Sequence, residues 1–412
     1  MMDPKPPVRI AVVGFGGLIG RRHTAHVLSS PSATLVAVVD GAPDASDLAA
    51  QLAPGVPYYR SVTDMLSGSA AGHGSVPDAA IVCTPNAYHV PVALELAEAG
   101  VHLLVEKPLA DTKAAARILV DRARELGVKL LVGHHRRFNP YVVAAKKVLA
   151  TSEAAPGAEA GSGIGLITAV SGLWTTYKPD QYFAAAPWRR SRKQGGGPVM
   201  INFVHEVDVL QYLLGPILRV SAERMVGGGG AESSDPDLVE RGAALTLRFA
   251  SGAVGSFVLS DAVVSPHFFE AGTGENPTLP RARRPCQHQI DRRSGTETQP
   301  ADQPDATPVD VYRIFGTHGT LSVPDMTLWT CGDAPRSWTN KLSVRQIDLD
   351  DDPRVPFDRQ LDHFTAVVRG EVTVADEAGC TGEQGLRVIA VCEAVIQALD
   401  DAEGGKVVVD YT

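Results

Sequence analysis

Over the first 150 residues, short apolar runs alternate with longer stretches whose apolar residues recur at helical spacing. The runs are Arg9–Val13, Thr34–Val39, Ala79–Cys83, Val101–Val105 and Lys129–Val132. The helical stretches are Leu18–Leu28, Ala45–Leu52, Val90–Ala99, Thr112–Leu126 and Pro140–Leu149. Parallel strands need crossover connections long enough to hold a helix, and those helices cover both faces of the sheet. The alternation therefore predicts a parallel, helix-covered α/β sheet over 1–150. Such sheets bind their ligands just beyond the carboxyl ends of the strands. The residues that follow each run are thus the first candidates for chemistry.

A small, polar stretch at 151–162 reads as a linker, and the rhythm changes after it. Strand-like segments follow one another at Ile164–Leu173, Arg219–Arg224, Ala243–Phe249, Ala253–Ser260, Val309–Phe315 and Leu321–Pro324. One strong helix, Val199–Leu214, interrupts them. Successive strands with few crossovers imply an open, mainly antiparallel sheet, so 151–412 reads as a second domain of the α+β class. Residues 270–308, rich in Gly, Pro and charged groups, read as a long and partly mobile loop. Two helices, Phe357–Val368 and Glu383–Leu399, and a short strand at Lys406–Val409 complete the chain.

Composition removes several classes of function. A net charge of −9 argues against a nucleic-acid surface, which is normally basic. No run approaches the roughly 20 apolar residues that span a bilayer, and the N-terminus has no signal-peptide core. The 5 cysteines are scattered and lack metal-ligand spacing, so reduced thiols, no metal site and a cytoplasmic location are expected.

The turn after the first run is Gly14-Phe15-Gly16-Gly17-Leu18-Ile19-Gly20. Glycines there permit a tight turn and let backbone N–H groups approach a pyrophosphate at a helix N-terminus. Asp40 ends the second run, where a carboxylate accepts hydrogen bonds from ribose hydroxyls and repels a 2′-phosphate. NAD is thus expected in preference to NADP, although an aspartate at this position also caps a following helix. Thr84-Pro85-Asn86 and His89 follow the third run and are placed to line the nicotinamide ribose; helix capping by Asn86 is the alternative.

Lys107 follows the fourth run within Glu106-Lys107-Pro108, which delivers an ammonium group to the same edge of the sheet. In the helix Val199–Leu214, Asn202, His205, Asp208 and Gln211 recur every three positions and form one polar stripe without Lys or Arg. The stripe reads as facing a semi-enclosed site. Hydride transfer needs a base for the alcohol proton, which an imidazole supplies, and a cation that polarises the oxygen, which a lysine supplies. Asp208 either orients His205 or anchors the helix.

These motifs, with Gly133-His134-His135-Arg136-Arg137-Phe138-Asn139-Pro140 and the Gly195-Gly196-Gly197-led helix, resemble the Gfo/Idh/MocA oxidoreductase family. The resemblance runs through nearly the whole chain. It implies a Rossmann N-terminal domain, a C-terminal domain with an open, mostly antiparallel sheet, and homodimers or homotetramers formed through that sheet. It further implies a small sugar, polyol or cyclitol substrate. Lys107 matches the family's active-site lysine and His205 its catalytic histidine, while Glu106 and Arg136 fall on the cofactor side. Trp174 to Pro179, with Lys178, and Tyr182 to Arg190, with Trp188 and Arg189, resemble substrate-side elements. Inositol dehydrogenase-like members carry an aspartate four residues before the histidine; Ile201 stands there in this chain, with Asn202 beside it as a substitute donor or acceptor. A redox-neutral NAD-dependent glycosidase or eliminase, and a non-catalytic nucleotide sensor, are the rival readings.

Overall fold

A computed structural model describes residues 5–70, 76–152, 163–225, 237–282, 308–332, 334–352, 354–376, 378–401 and 405–412. Thr151 and Ser152 of the expected linker end a helix; its remaining residues, 153–162, and 283–307 of the expected loop lie outside the described residues.

The first sheet is built from β1 (Val8–Val13), β2 (Ala33–Val39), β3 (Tyr58–Tyr59), β4 (Ala79–Val82), β5 (His102–Val105) and β6 (Leu130–Val132). Their order is β3-β2-β1-β4-β5-β6, all parallel. The helices between them are α1 (Leu18–Ser29), α2 (Ala45–Leu52), α3 (Val62–Ala70), α4 (Asn86–Glu98) and α5 (Lys113–Glu125), followed by α6 (Pro140–Ser152). The order reverses between β1 and β4, which opens a crevice at their carboxyl ends. β4 and β6 are buried along their whole length, as strands covered on both faces must be. The two-residue β3 and α3 carry too little pattern to stand out in the sequence.

The second sheet holds β7 (Ile167–Thr175), β8 (Ile217–Arg224), β9 (Gly242–Phe249), β10 (Val254–Ser260), β11 (Tyr312–Gly316), β12 (Gly319–Val323), β13 (Thr327–Thr330), β14 (Ser343–Gln346) and β15 (Lys406–Val408), with α7 (Asp180–Ala184) and α8 (Val204–Leu214) between β7 and β8. Their order is β14-β13-β12-β11-β7-β10-β9-β8-β15, and only the β10–β7 pair is parallel. The expected open, mainly antiparallel sheet is therefore present. One face packs on α8 and the long α11 (Gly382–Asp400), giving a continuous core from Val170 and Leu245 to Val391 and Val395. No helix of the described residues is long and apolar enough to cross a membrane.

Two corrections affect the site. Residues 270–308 are not loop throughout, because α9 (Phe269–Thr273) is a buried helix whose Phe269 packs into the second core. The expected helix Val199–Leu214 begins as a π-helical turn over Val199–Phe203 before α8. Such wide turns occur frequently at functional sites.

The last helices return to the first sheet. Leu361 and Phe364 of α10 (Pro356–Val368) share a core with Ile10 and Ile81, and Leu386 and Ile389 of α11 share one with Val105 and Val132. A Cβ on Gly385 would lie 2.8 Å from Val132 Cγ2, so glycine permits this close approach. The two sheets are thus clamped by the C-terminal third of the chain.

Candidate active site

The backbone ladder of the first sheet continues one residue past each strand: Gly14 N–H bonds to Val39 O, Cys83 to Val13, Glu106 to Val82 and Gly133 to Val105. This lines up the glycine turn, Thr84, Lys107 and His134 along one edge. Gly14 has φ +78°, and a Cβ there would stand 2.7 Å from the Thr84 nitrogen. At Gly20 a Cβ would sit 2.1 Å from the Gly14 carbonyl oxygen. These glycines are therefore required by the closeness of β1, β4 and α1.

Asp40 is fixed beside the turn. Its Oδ2 accepts Gly16 N–H at 2.9 Å and its Oδ1 accepts Ala42 N–H at 3.0 Å, so it supports the glycine turn and the loop before α2 together. Gly17, Leu18 and Ile19 lead into α1, and the Leu18 side chain is 84% exposed. Thr84 Oγ1 is buried without a hydrogen-bond partner among the described residues, on the same edge. First-turn N–H groups of a helix have no intrahelical acceptor. A narrow glycine turn, a helix N-terminus, a fixed carboxylate and an orphaned hydroxyl together fit a dinucleotide.

Three residues expected on the cofactor side are occupied otherwise. His89 is 1% exposed and its ring nitrogens lie 2.8 Å from the Pro108 and Thr84 carbonyls, which ties the two turns together. Glu106 Oε1 pairs with His23 Nε2 of α1 at 2.8 Å. Burial raises the Glu106 carboxyl, but His23 and neighbouring cations outweigh it and hold the group down to about 2. Arg136 is 2% exposed and meets Glu206 at 2.5 Å, Glu270 at 2.5 Å and Glu275 at 2.8 Å. Each is an internal tie, because buried charges persist when paired and hydrogen-bonded. Asn86 is the first residue of α4, with Pro85 at the cap position, so it does not cap the helix.

The second domain brings its groups in on the π-turn and α8. Lys107 Nζ reaches the Ile201 carbonyl at 3.5 Å, and the neighbouring Asn202 accepts from Lys178 Nζ at 2.6 Å. His205, one turn later, is 8% exposed; its ring lies 6.4 Å from that of His134 and 5.7 Å from that of His135, centroid to centroid. Burial, then the charges of Lys107 and Arg136, hold His205 well below its usual range, so the imidazole is neutral with Nδ1 unpartnered among the described residues. Burial likewise lowers Lys107, with Glu106 and Glu270 opposing.

The polar stripe divides. Asn202 faces Lys178 and His205 feels the charge of Lys107, whereas Asp208 and Gln211 are held elsewhere. Asp208 accepts Arg137 Nη2 at 2.6 Å and Nε at 3.0 Å, joining α8 to the turn after β6. It anchors the helix. Gln211 Oε1 is taken by the hydroxyl of Tyr411 at 2.9 Å.

On the far wall, Lys178 Nζ lies 5.1 Å from the Trp174 ring centroid and 4.8 Å from that of Tyr182, and Arg189 covers the Tyr182 ring at 3.9 Å. Trp188 is 38% exposed beside Arg189, at 5.9 Å. Sequence reasoning missed Glu270, whose Oε2 accepts Trp174 Nε1 at 3.2 Å and whose charge acts on both Lys107 and Lys178. The Phe268-Phe269 pair just before it was the available signal of a buried anchor within a polar segment.

Residues 8–134 match the family model for the oxidoreductase family's NAD-binding Rossmann fold (Gfo/Idh/MocA), and 161–408 match the model for its C-terminal alpha/beta domain. Levoglucosan dehydrogenase of Pseudarthrobacter phenanthrenivorans is 30% identical over 198 residues, which cover 42% of this chain and 47% of that protein. The scyllo-inositol 2-dehydrogenase (NAD(+)) of Bacillus subtilis is 29% identical over 253 residues, covering 60% and 66%. The chain spans about half the length of the first curated relatives it matches. The crystal structure of the WlbA dehydrogenase from Bordetella pertussis, in complex with NADH and UDP-GlcNAcA, has a TM-score of 0.70 at 23% identity, covering 98% of this chain and 99% of that one. That likeness is one of fold.

Proposed function

The chain belongs to the Gfo/Idh/MocA oxidoreductase family, and from that premise we propose that it is an NAD-dependent dehydrogenase of a secondary alcohol on a sugar, polyol or cyclitol. The observation that carries this reading is that Lys107, at the carboxyl edge of a dinucleotide-type sheet, reaches the Ile201 carbonyl one turn before His205 and sets its charge against that neutral imidazole. NAD bound there supplies a hydride acceptor. Gly14, Gly16 and Gly20 let the turn close against β4, Asp40 and α1, so that Gly17 and the first N–H groups of α1 would receive its pyrophosphate; Thr84 offers a hydroxyl to its nicotinamide half. Asp40 accepts ribose hydroxyls and disfavours a 2′-phosphate, which supports NAD over NADP.

The residues divide the proton work. Neutral His205 accepts the alcohol proton, since an unprotonated imidazole is the form that can act as base. The Lys107 ammonium stabilises the negative charge that develops on the same oxygen. Asn202, Lys178 and the part-exposed Trp188 are left to hold the substrate's remaining surface, polar groups beside an aromatic plane suited to a carbohydrate ring. The outward side of the second sheet, with Val254 and Phe315 exposed, is the surface through which homodimers or homotetramers would form.

The test is a screen of sugars, inositols and cyclitol acids with NAD, read by the absorbance of reduced nicotinamide. With an accepted substrate, His205→Ala is expected to lower kcat by about 10²–10⁴, and Lys107→Met to lower it comparably. Undiminished turnover in the His205 variant refutes the assignment. Bound NAD with substrate consumed but no net reduction favours the redox-neutral reading.

A further inference from the structure

Two ammonium groups flank one short stretch of backbone. Lys107 reaches the Ile201 carbonyl and Lys178 the Asn202 amide oxygen, so both meet neutral acceptors. The carboxylates nearby are shared with other cations that hold them more closely. Glu206, Glu270 and Glu275 converge on Arg136, and Asp208 is held by Arg137. Asp261 pairs with Arg241 and stands 4.0 Å from Lys178 Nζ. Among the described residues, Lys107 Nζ has no carboxylate oxygen within 4.0 Å. Arg189 adds a further cation on the Tyr182 ring.

Polarising one alcohol oxygen requires one cation, and Lys107 supplies it. Lys178 therefore needs another reason to be present, with a side chain only 13% exposed. Burying a second ammonium whose nearest carboxylate, Asp261 at 4.0 Å, is shared with Arg241 is costly, and a ligand that brings a negative charge offsets that cost. A charged oxygen also forms a stronger bond to an ammonium than an amide oxygen does, so it competes with Asn202 for Lys178 Nζ.

We propose that the substrate carries an anionic group, a carboxylate or phosphate, beside the reacting alcohol, and that Lys178 binds it. This rests on the reading of the cleft as a hydride-transfer site. The charge state of Lys178 gives the proposal a pH signature. Burial lowers Lys178 to about 8; Asp261 and Glu270 oppose that shift, while Arg189 and Lys107 reinforce it. The ammonium form binds the anion, so affinity is full below about 8 and falls as pH rises through it.

The experiment is calorimetric titration of the NAD-loaded protein at pH 7 and pH 9, with turnover measured on the same panel. The probes are D-glucuronate, D-galacturonate, quinate and D-glucose 6-phosphate, set against D-glucose, D-galactose and myo-inositol. In the wild type at pH 7, at least one acid is expected to bind about tenfold or more tighter than its neutral counterpart, as a charge-assisted contact implies. The carboxylate and phosphate arms identify the anion. The preference should collapse in Lys178→Gln, persist in Lys178→Arg and shrink at pH 9 in the wild type. Equal or better binding of the neutral partners overturns the proposal, as does an acid preference that survives in Lys178→Gln or a panel in which no acid binds. Turnover of a neutral polyol without acid preference sinks the anion proposal alone. Acid binding that depends on Lys178, with no reduced nicotinamide formed from any probe, sinks the dehydrogenase reading instead.

Discussion

Glu206 gives the most quantitative test of the interior built around the site. Its side chain is fully buried, accepts Arg136 Nη1 at 2.5 Å and takes the Tyr312 hydroxyl on its other oxygen. Burial raises its carboxyl from the ordinary 4.5 to about 7; Glu270 adds to the rise, while Arg136 and the Tyr312 hydrogen bond oppose it. Between these values the folded protein holds a proton that the unfolded chain has released. Stability therefore falls as pH rises through that window, and the full penalty is present above it. At about 1.4 kcal/mol per pH unit, the penalty is about 3 kcal/mol. Glu206→Gln removes the titrating group but keeps the shape, with an amide oxygen for Arg136 and an amide N–H for the Tyr312 oxygen. The variant's stability relative to wild type should rise by about 3 kcal/mol between pH 4.5 and pH 8. Urea unfolding followed by tryptophan fluorescence at a series of pH values measures it, with m compared to confirm that the same surface is exposed. A stability difference that stays constant across pH refutes the reasoning.

Two further outcomes concern the cofactor edge. Gly20→Ala places a methyl 2.1 Å from the Gly14 carbonyl oxygen and 2.6 Å from the Phe15 Cα, both backbone atoms that cannot rotate away. The variant should lose about 1–3 kcal/mol of stability and bind NAD markedly more weakly; unchanged NAD titration would show that the turn does not carry the pyrophosphate. Asp40→Ser removes the carboxylate beside Gly16, so the ratio of NAD to NADP affinity should fall about tenfold or more, a loss of roughly 1.4 kcal/mol of discrimination. Paired titrations measure it, and an unaltered ratio contradicts the role given to Asp40.

Much of the first domain was legible because its determinants are local. Apolar runs at β1, β4 and β5 are strands buried on both faces, and Gly14 to Gly20 is a turn that other residues cannot make. Lys107 was legible for the same reason, since position after a buried strand places a side chain at the ligand edge. β13 and β14 were not read in advance, because both are four-residue strands near the sheet's free edge, and β14 is exposed at every position. Arg136 and Glu106 could be named from sequence, but the ion pairs that hold them could not. A motif shows that a charged residue stands at a turn; it does not show that Glu206, Glu270 and Glu275 surround it, because those partners lie 70, 134 and 139 positions away.

His205 illustrates the division most clearly. Helical spacing put Asn202, His205, Asp208 and Gln211 on one line, and that much the sequence alone determined. The π-turn over Val199–Phe203 and the approach of Arg137 divided the line, setting Asn202 against Lys178, His205 within the field of Lys107 and Asp208 against Arg137. Likewise, a lysine and a histidine 98 positions apart can be named from sequence, but only the packing of the second domain on the first puts Lys107's charge onto a buried imidazole and leaves it neutral. Spacing along a chain sets which residues share a face. Which face becomes dry, and which charges meet across it, depends on contacts between distant segments, and those exist only in the folded molecule.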